Sequence, residues 1–564
     1  MTQSCKKCQT NFEISDQDLA FYDSVSPIFA GKKYPIPPPT LCPNCRHQRR
    51  QCWRNETKLY RRKCDLTGKP IVSVFSPDKP FKVYHNADWF SDAWDAMPYG
   101  RDFDFTKTFS EQFRSLMQDV PQIARSVMNC ENCDYVNQCS SSKDCYLIFE
   151  ADYNQQCYFS NYIYDSKSTF DCFQLQGGEL CYEAMDCRKC YNLKYSQDCD
   201  NCSDSWFLAS CIGCKNCFGS VNLRNKEYYF LNERLDKETY LSKIAALNLH
   251  TRSGIQSATT LFSNFRKNFP KKYLHGTQNE DSSGDYLWNT QRCKDCFDLQ
   301  DSQDCSFVTN SRHMKNVYDV TVFGSLGGSE FCYENHEIGD GTRNVCFSDQ
   351  VFLGCSNILY SKLCCENSRD LFGCVGLRHK QYCIFNKQYT KEEYETLVPR
   401  IIEHMKKTGE WGEFFPSSIS PMGYNETVAN TYFPLSKEEA FIQGFAWSDY
   451  ENPKPEVSKI IPGARLPDEI KKIPDDVLNW AIQCEKSGKL FKIVPQELKW
   501  YRAQDIPVPM IHPEERFMRR FRERNPRKLN DRACSQCQAP VQTTYPETAP
   551  EKIVCEKCYL TVTD

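Results

Sequence analysis

Four cysteines near each end of the chain are spaced to hold a metal ion. Cys5 and Cys8 form one C-x-x-C pair and Cys42 and Cys45 a second, and Cys534, Cys537, Cys555 and Cys558 repeat the arrangement at the far end. One tight turn lets each C-x-x-C place two sulfurs about 2.3 Å from a Zn²⁺, so two pairs close a tetrahedral site. Two structural zinc ions are therefore expected. A short helix led by Ser15, with Asp18 three residues on, falls between the first pairs. A two-strand pattern, PVQTTYPE and EKIVCEKCY, surrounds the last.

The two ends are copies. Cys5 to Tyr22 laid on Cys484 to Tyr501 matches at seven of eighteen positions, and residues 42 to 71 on 512 to 541 at eleven of thirty. The ligands have diverged reciprocally. Opposite Cys5, Cys8, Cys42 and Cys45 stand Cys484, Ser487, His512 and Glu515, and opposite the last four cysteines stand Cys64, Thr67, His85 and Asp88. Each copy thus keeps one four-cysteine site and one altered site. Cys64, His85 and Asp88, like Cys484, His512 and Glu515, are donor types that could take up to two further zinc ions. The plainer expectation is metal-free relics held by small cores, and the alternative is an open zinc carrying a water.

On these motifs (C-x-x-C, a phenylalanine, a short helix ending FY, then C-x-x-CR), the first 46 residues resemble the probable zinc-binding domain of treble-clef, zinc-ribbon type. Phrases such as FGCVGLRHKQYCIFNKQYTKEEYE make most of the chain similar to a set of uncharacterised cysteine-rich bacterial proteins. That resemblance implies zinc at Cys5, Cys8, Cys42 and Cys45 and no activity.

The elements that must position these sites lie in a chain of 564 residues with Lys+Arg 70 against Asp+Glu 73, too long for one domain. Cysteine is the outlier, 35 in all, of which 24 lie between Cys130 and Cys383. From Cys130 to Leu223 every cysteine falls in one of three phases, and stepping by three meets only small or apolar residues apart from Asn154. A period of three fits neither helix nor plain strand. It fits a narrow coil that turns one residue in three inward. Stepping by twelve from Tyr146 gives Tyr158, Phe170, Tyr182, Lys194, Trp206, Phe218 and Phe230, so twelve residues per turn is expected. The packing scheme resembles the small-cored β-solenoid of insect antifreeze proteins, without their threonine face. A second stretch repeats the scheme from Cys293 to Cys383 with phase shifts that predict bulges or loops.

The expected fold is β-rich and multidomain. A treble-clef zinc domain with a basic helix (1–60), an altered ribbon (61–100) and a capping helix (101–128) precede the first cysteine-cored solenoid (129–232). A helical connector (233–279), the second solenoid (280–388) and a helix with irregular connector (389–480) lead to an altered treble clef with a basic helix (481–533) and a zinc ribbon (534–564). The central cysteines are expected to pack as small buried side chains, ahead of disulfides or metal clusters. The aromatic column is expected to bury against the second coil or else to grip a protein partner.

Two local charge clusters stand out of a near-neutral chain. Arg46, Arg49, Arg50, Arg54, Arg61 and Arg62 follow the first zinc pairs, and Arg516, Arg519, Arg520, Arg524 and Arg532 follow the altered copy. Basic helices with interleaved aromatics suit a phosphate backbone, so nucleic acid, RNA above all, is the favoured partner. A solvated or internally paired face is the competing reading. No P-loop, dinucleotide fingerprint, nucleophile elbow or HExxH occurs. A non-enzymatic zinc scaffold is therefore favoured over a thiol-redox or zinc-water enzyme at the altered sites. No apolar run approaches a membrane span and the start lacks a signal-peptide layout, which places the protein in the cytoplasm with reduced thiols.

Overall fold

The computed structural model of the chain describes every residue except 324–326, 454 and 564. It divides into two compact units: residues 1–125, 274–450 and 542–544 form the first, and 126–273, 451–541 and 545–564 the second. Each unit holds one solenoid and one end module. The first joins the N-terminal module to the second solenoid, and the second joins the first solenoid to the C-terminal module.

The first solenoid has twelve residues per turn. Tyr146 pairs in parallel with Tyr158, Phe173 with Met185, and Tyr191 with Ser203, and single bridges such as Phe218 to Phe230 continue the ladder. The triplet has a backbone reason. In Cys199-Asp200-Asn201 the first residue points inward, the second bridges to Ile212 one turn on, and the third takes a left-handed corner at φ 52°. L-residues adopt that conformation at a cost of about 1–2 kcal/mol, least for Gly, Asn and Asp. These residues recur at corners, among them Asn192, Asp198, Asp204, Gly213, Asn216 and Gly219. Corner side chains form ladders too: Asn192 donates to Asp204 at 2.9 Å, and Asn289 to Asp301 at 2.6 Å.

The inward positions favour Cys and Ser for more than size. An inward N–H takes as acceptor the side chain of the inward residue one turn earlier: Cys217 N donates to Ser205 Oγ, Cys172 N to Ser160 Oγ and Leu208 N to Ser196 Oγ, each at 2.9 Å. Thiols return hydrogens to carbonyls, as Cys199 does to Gln197 and Cys217 to Lys215, each at 3.2 Å. Asn154 fits the same logic, accepting from Ser166 N at 3.0 Å and donating to Ile163 O at 2.9 Å. All 35 cysteines are free thiols. Ser205→Ala should therefore destabilise the second unit by about 1–3 kcal/mol, because it strands the buried Cys217 N–H. Ser205→Cys should recover most of that loss, read as the denaturant midpoint.

In the second solenoid the register is 12 from Gly284 to Cys296, 15 from Met314 to Ser329, 13 from Ser329 to Thr342 and from Arg343 to Ser356, and 12 again from Arg369 to Gln381. The 13-residue turns are the phase shifts seen in the sequence, whereas the 15-residue turn keeps the triplet phase. Both coils end in a hairpin, Tyr229–Phe230 with Glu233–Arg234 and Gln381–Ile384 with Lys387–Gln388. A capped helix follows each, Lys237–Ala246 behind Asp236 and Lys391–Thr408 behind Thr390 with Glu393. Helix Phe109–Asp119 lies against the late turns of the second solenoid, with Phe109 5.3 Å from both Tyr360 and Phe385.

The aromatic column of the first solenoid finds its cover inside its own unit. Tyr158 stacks on Phe170 at 4.6 Å, and Phe170 on Trp500 at 4.2 Å, with Tyr182 5.4 Å from the same indole. Trp500 belongs to helix Pro495–Gln504 of the C-terminal module, which covers the column in place of the second coil expected from the sequence. Lys194, the break in the column, is buried over the Trp206 ring at 5.2 Å.

Candidate metal centres and their anchors

The duplicated module builds four equivalent half-sites from one turn. Cys5, Cys64, Cys484 and Cys534 each donate their N–H to the carbonyl five residues on and accept at their own carbonyl from the residue four on. That fourth residue, Gln9, Gly68, Gly488 or Gln538, takes a left-handed φ between 61° and 72°. The other half of each site is a helix start. Cys42 caps Pro43–Gln51, His85 caps Asn86–Trp89, His512 caps Pro513–Phe521, and Cys555 precedes Glu556–Thr563.

In the two four-cysteine sets this geometry converges. The sulfurs of Cys5, Cys8, Cys42 and Cys45 lie within 4.8 Å of one another, as do those of Cys534, Cys537, Cys555 and Cys558. Cys8 to Cys42 is 3.6 Å and Cys537 to Cys555 is 3.7 Å. A tetrahedron with metal–sulfur bonds of about 2.3 Å has edges of about 3.8 Å. Both sets could hold a metal ion. In the first set the Cys45 side chain draws Cys42 down to about 6 against burial, and the same hydrogen bond raises Cys45, so one proton is held between the two sulfurs. At Cys534 burial opposes ionisation, but the backbone N–H groups of Cys537, Cys555 and Gln536 outweigh it and also bring that thiol to about 6.

The altered sets close by hydrogen bonds. Asp88 accepts from the Cys64 thiol and from the Thr67 hydroxyl, both at 3.2 Å, while Cys64 Sγ accepts from His85 N at 3.3 Å. His85 Nδ1 accepts from Ala87 N at 3.3 Å and His512 Nδ1 from Glu514 N at 3.2 Å, so both histidines cap helices. Glu515 pairs with Lys486 at 3.4 Å. Cys484 keeps a lowered thiol because, against burial, the backbone N–H of His512 favours its anion. Among the described residues, the groups that bring three or more such donor atoms within 4.8 Å are the two four-cysteine sets.

Most arginines of the basic helices are turned away from solvent, Arg519 being exposed. Arg46, Arg50, Arg54, Arg516 and Arg520 are each at most 2% exposed. In the first unit Arg46 reaches Asp319 at 2.8 Å, Arg50 reaches Asp319 and Glu334 at 3.1 Å, and Arg49 reaches Glu334 and Glu413 at 2.7 Å. Arg54 binds Glu337, and Glu56 at 2.5 Å. The second unit repeats this: Arg516 binds Asp171 at 2.5 Å, Arg520 binds Asp171 at 3.1 Å and Glu183 at 3.2 Å, Arg519 binds Glu183, and Arg524 faces Asp186 at 3.5 Å. Arg46 lies over Phe307 at 5.3 Å and Arg516 over Phe159 at 4.6 Å. Asp319 and Asp171 hold these two guanidinia above their ordinary range despite burial.

All eight solenoid partners, Phe159, Asp171, Glu183 and Asp186 and then Phe307, Asp319, Glu334 and Glu337, sit at left-handed corners. The duplication therefore extends through the solenoid to an acidic ladder that matches the arginine helix. Of the remaining arginines, Arg62 binds Asp65 at 3.0 Å, Arg532 donates to Pro546 O at 2.9 Å, and Arg61 is exposed. The nucleic-acid surface expected of these helices is corrected: four arginines meet five carboxylates in the first unit, leaving little charge for a phosphate backbone.

The C-terminal four-cysteine set is tied to its solenoid by other means. Tyr559 of helix Glu556–Thr563 donates to Asn222 Oδ1 at 2.9 Å, and strand Ile553–Val554 pairs in parallel with Lys271–Lys272. No helix among the described residues is long and apolar enough to cross a membrane. Neither a protein-family model nor a curated protein matches this chain.

Proposed function

We propose that the protein is a zinc-dependent, non-enzymatic scaffold in which each four-cysteine set holds one structural Zn²⁺ and thereby fixes the element that fastens its module to a solenoid. The first module is read as a treble clef and the last as a zinc ribbon. One observation carries this reading. Cys42, a member of the first four-cysteine set, stands at the N-cap position of helix Pro43–Gln51, the helix whose arginines enter the acidic ladder, so a metal held there and the anchor would share one element. A reducing compartment, the cytoplasm, suits thiols that serve throughout as hydrogen-bond donors.

The test is metal content together with resistance to proteolysis. Purified protein should carry two zinc ions, and chelation should expose Pro43–Gln51 and Ile553–Thr563 to cleavage while the solenoid cores resist. Full resistance without metal would overturn the reading. RNA binding through the two helices is not carried forward, because the guanidinia it needs are engaged within the units. Arg46→Glu with Arg50→Glu should accordingly lower the unfolding midpoint of the first unit sharply. A variant of unchanged stability that had lost affinity for single-stranded RNA would restore the RNA reading.

A further inference from the structure

Helix Pro495–Gln504, which covers the aromatic column of the first solenoid, carries an acid on its covered side. Glu497 is wholly buried. Its Oε2 accepts from Val494 N at 3.2 Å, which closes the first turn of the helix, and its Oε1 accepts from the Tyr501 hydroxyl at 3.1 Å. One turn along, Trp500 stacks on Phe170 and donates to Ser168 O at 3.2 Å. The acid and the ring that seals the column therefore share a helix face.

A buried carboxylate is stable only beside a close, well-directed cation. Arg516 is the cation within reach, yet its Nη2 stands 3.9 Å from Glu497 Oε1, beyond a hydrogen bond. Its Nη1 is committed elsewhere, to Asp171 at 2.5 Å and to the Tyr501 hydroxyl at 3.2 Å. Nε and Nη2, which make up one edge of the guanidinium, are buried without a hydrogen-bond partner. The duplication supplies the contrast. Arg46, at the aligned position of the first unit, turns both of these nitrogens to Asp319, at 3.0 and 2.8 Å. In the second unit the guanidinium serves Asp171 by its other end, so Glu497 is a buried acid whose cation another carboxylate has claimed.

We propose that Glu497 is a proton-operated latch on helix Pro495–Gln504: as a carboxylic acid it lets the helix lie on the aromatic column, and as a carboxylate it loosens that cover. Burial pushes its carboxyl up to about 7, with Arg516 opposing the rise and Asp171 adding to it. The other groups of the cluster are named by their elements. Tyr501 of the same helix and Tyr182 of the solenoid, 6.0 Å from the Tyr501 ring, are phenols that burial holds well above their ordinary range. On the solenoid corners, burial raises Asp171, and Arg519 with Arg520 lowers Glu183 against burial.

The sign follows from the free chain, in which a glutamate ionises near about 4.3. The docked helix keeps a proton that the opened helix gives up. Its cover is therefore strongest below about pH 4.3 and weakens about tenfold in opening constant per pH unit, levelling off once Glu497 has ionised in place.

The test is hydrogen exchange of Pro495–Gln504 in the full-length protein, corrected for the intrinsic pH dependence of exchange. The opening constant should rise roughly a hundredfold from about pH 5 to about pH 7 and little beyond about pH 8. Glu497→Gln keeps an acceptor for Val494 N and for the Tyr501 hydroxyl, so it should remove most of that rise, and the difference from the native protein isolates Glu497 from Asp171. A variant whose opening rises as steeply as that of the native protein would overturn the proposal. Should the variant fail to fold, the infrared spectrum of the native protein decides: a protonated-carboxyl band should survive at about pH 6 and be gone by about pH 8.5. A spectrum with no such band at the lower pH would equally overturn it.

Discussion

Asp319→Ala lowers the stability of the first unit by about 3–5 kcal/mol, the cost of breaking a buried ion pair from one side. Asp319 is wholly buried and accepts from both Arg46 and Arg50, so its loss leaves two guanidinia, each at most 1% exposed, to share the single carboxylate of Glu334 with Arg49. Burial should make the effect nearly independent of salt, unlike a surface pair. Asp171→Ala should do the same to the second unit through Arg516 and Arg520. The controlling variant combines Asp319→Leu with Arg46→Met and Arg50→Leu and leaves Glu334 to Arg49; it should recover part of the loss, because apolar groups of similar volume replace buried ions at little penalty. A denaturant midpoint for Asp319→Ala that shifts by less than the equivalent of about 1 kcal/mol would mean that the ladder does not hold the helix.

Loss of a metal ligand has the larger reach. Structural zinc contributes an apparent 10 to 16 kcal/mol, roughly, to small modules at neutral pH, more than the roughly 5 to 15 kcal/mol of a whole domain. Cys42→Ala removes a sulfur from the residue at the N-cap position of Pro43–Gln51, so the N-terminal module should lose the metal proposed for it and release its arginines. The C-terminal ion should remain. Cys537→Ala should show the converse, and each is read by metal stoichiometry and by limited proteolysis. Two ions retained in Cys42→Ala would refute the assignment. Acidification should mimic both variants as protons compete for the thiolates.

The coil was legible because its constraint is local and repeated: a period of three for the inward residue and of twelve for the turn appear in any stretch of the strand. The corner is equally legible. Asn and Asp recur in the phase following the bridged residue, the mark of left-handed backbone. That phase contains Asp171, Glu183 and Asp186, whose chemistry is not conformational, and matching them to Asp319, Glu334 and Glu337 needs the single 15-residue turn, which spacing alone does not reveal. The arginines were found correctly as duplicated charge. Their partners lie some three hundred residues away, and a sequence does not say whether a cation faces a phosphate or its own chain. Trp500 over the aromatic column escaped for the same reason. The metal sets were fully legible, since C-x-x-C carries its geometry in four residues.

The crossed assembly, in which the chain runs module, solenoid, solenoid, module while each unit joins a module to the solenoid it is remote from, sets a schedule for synthesis. Arg46 precedes Asp319 by 273 residues and Asp171 precedes Arg516 by 345. At about 5 to 20 residues per second the N-terminal helix waits roughly 14 to 55 s for its acids, and the first solenoid waits longer with its carboxylates uncovered. The two waits overlap, so a ribosome halfway along holds a cationic helix and an anionic coil that belong to different units. They are complementary in charge and mismatched in partner. A message broken in the middle therefore yields no half-protein, only a module and a coil that lack their own counterparts.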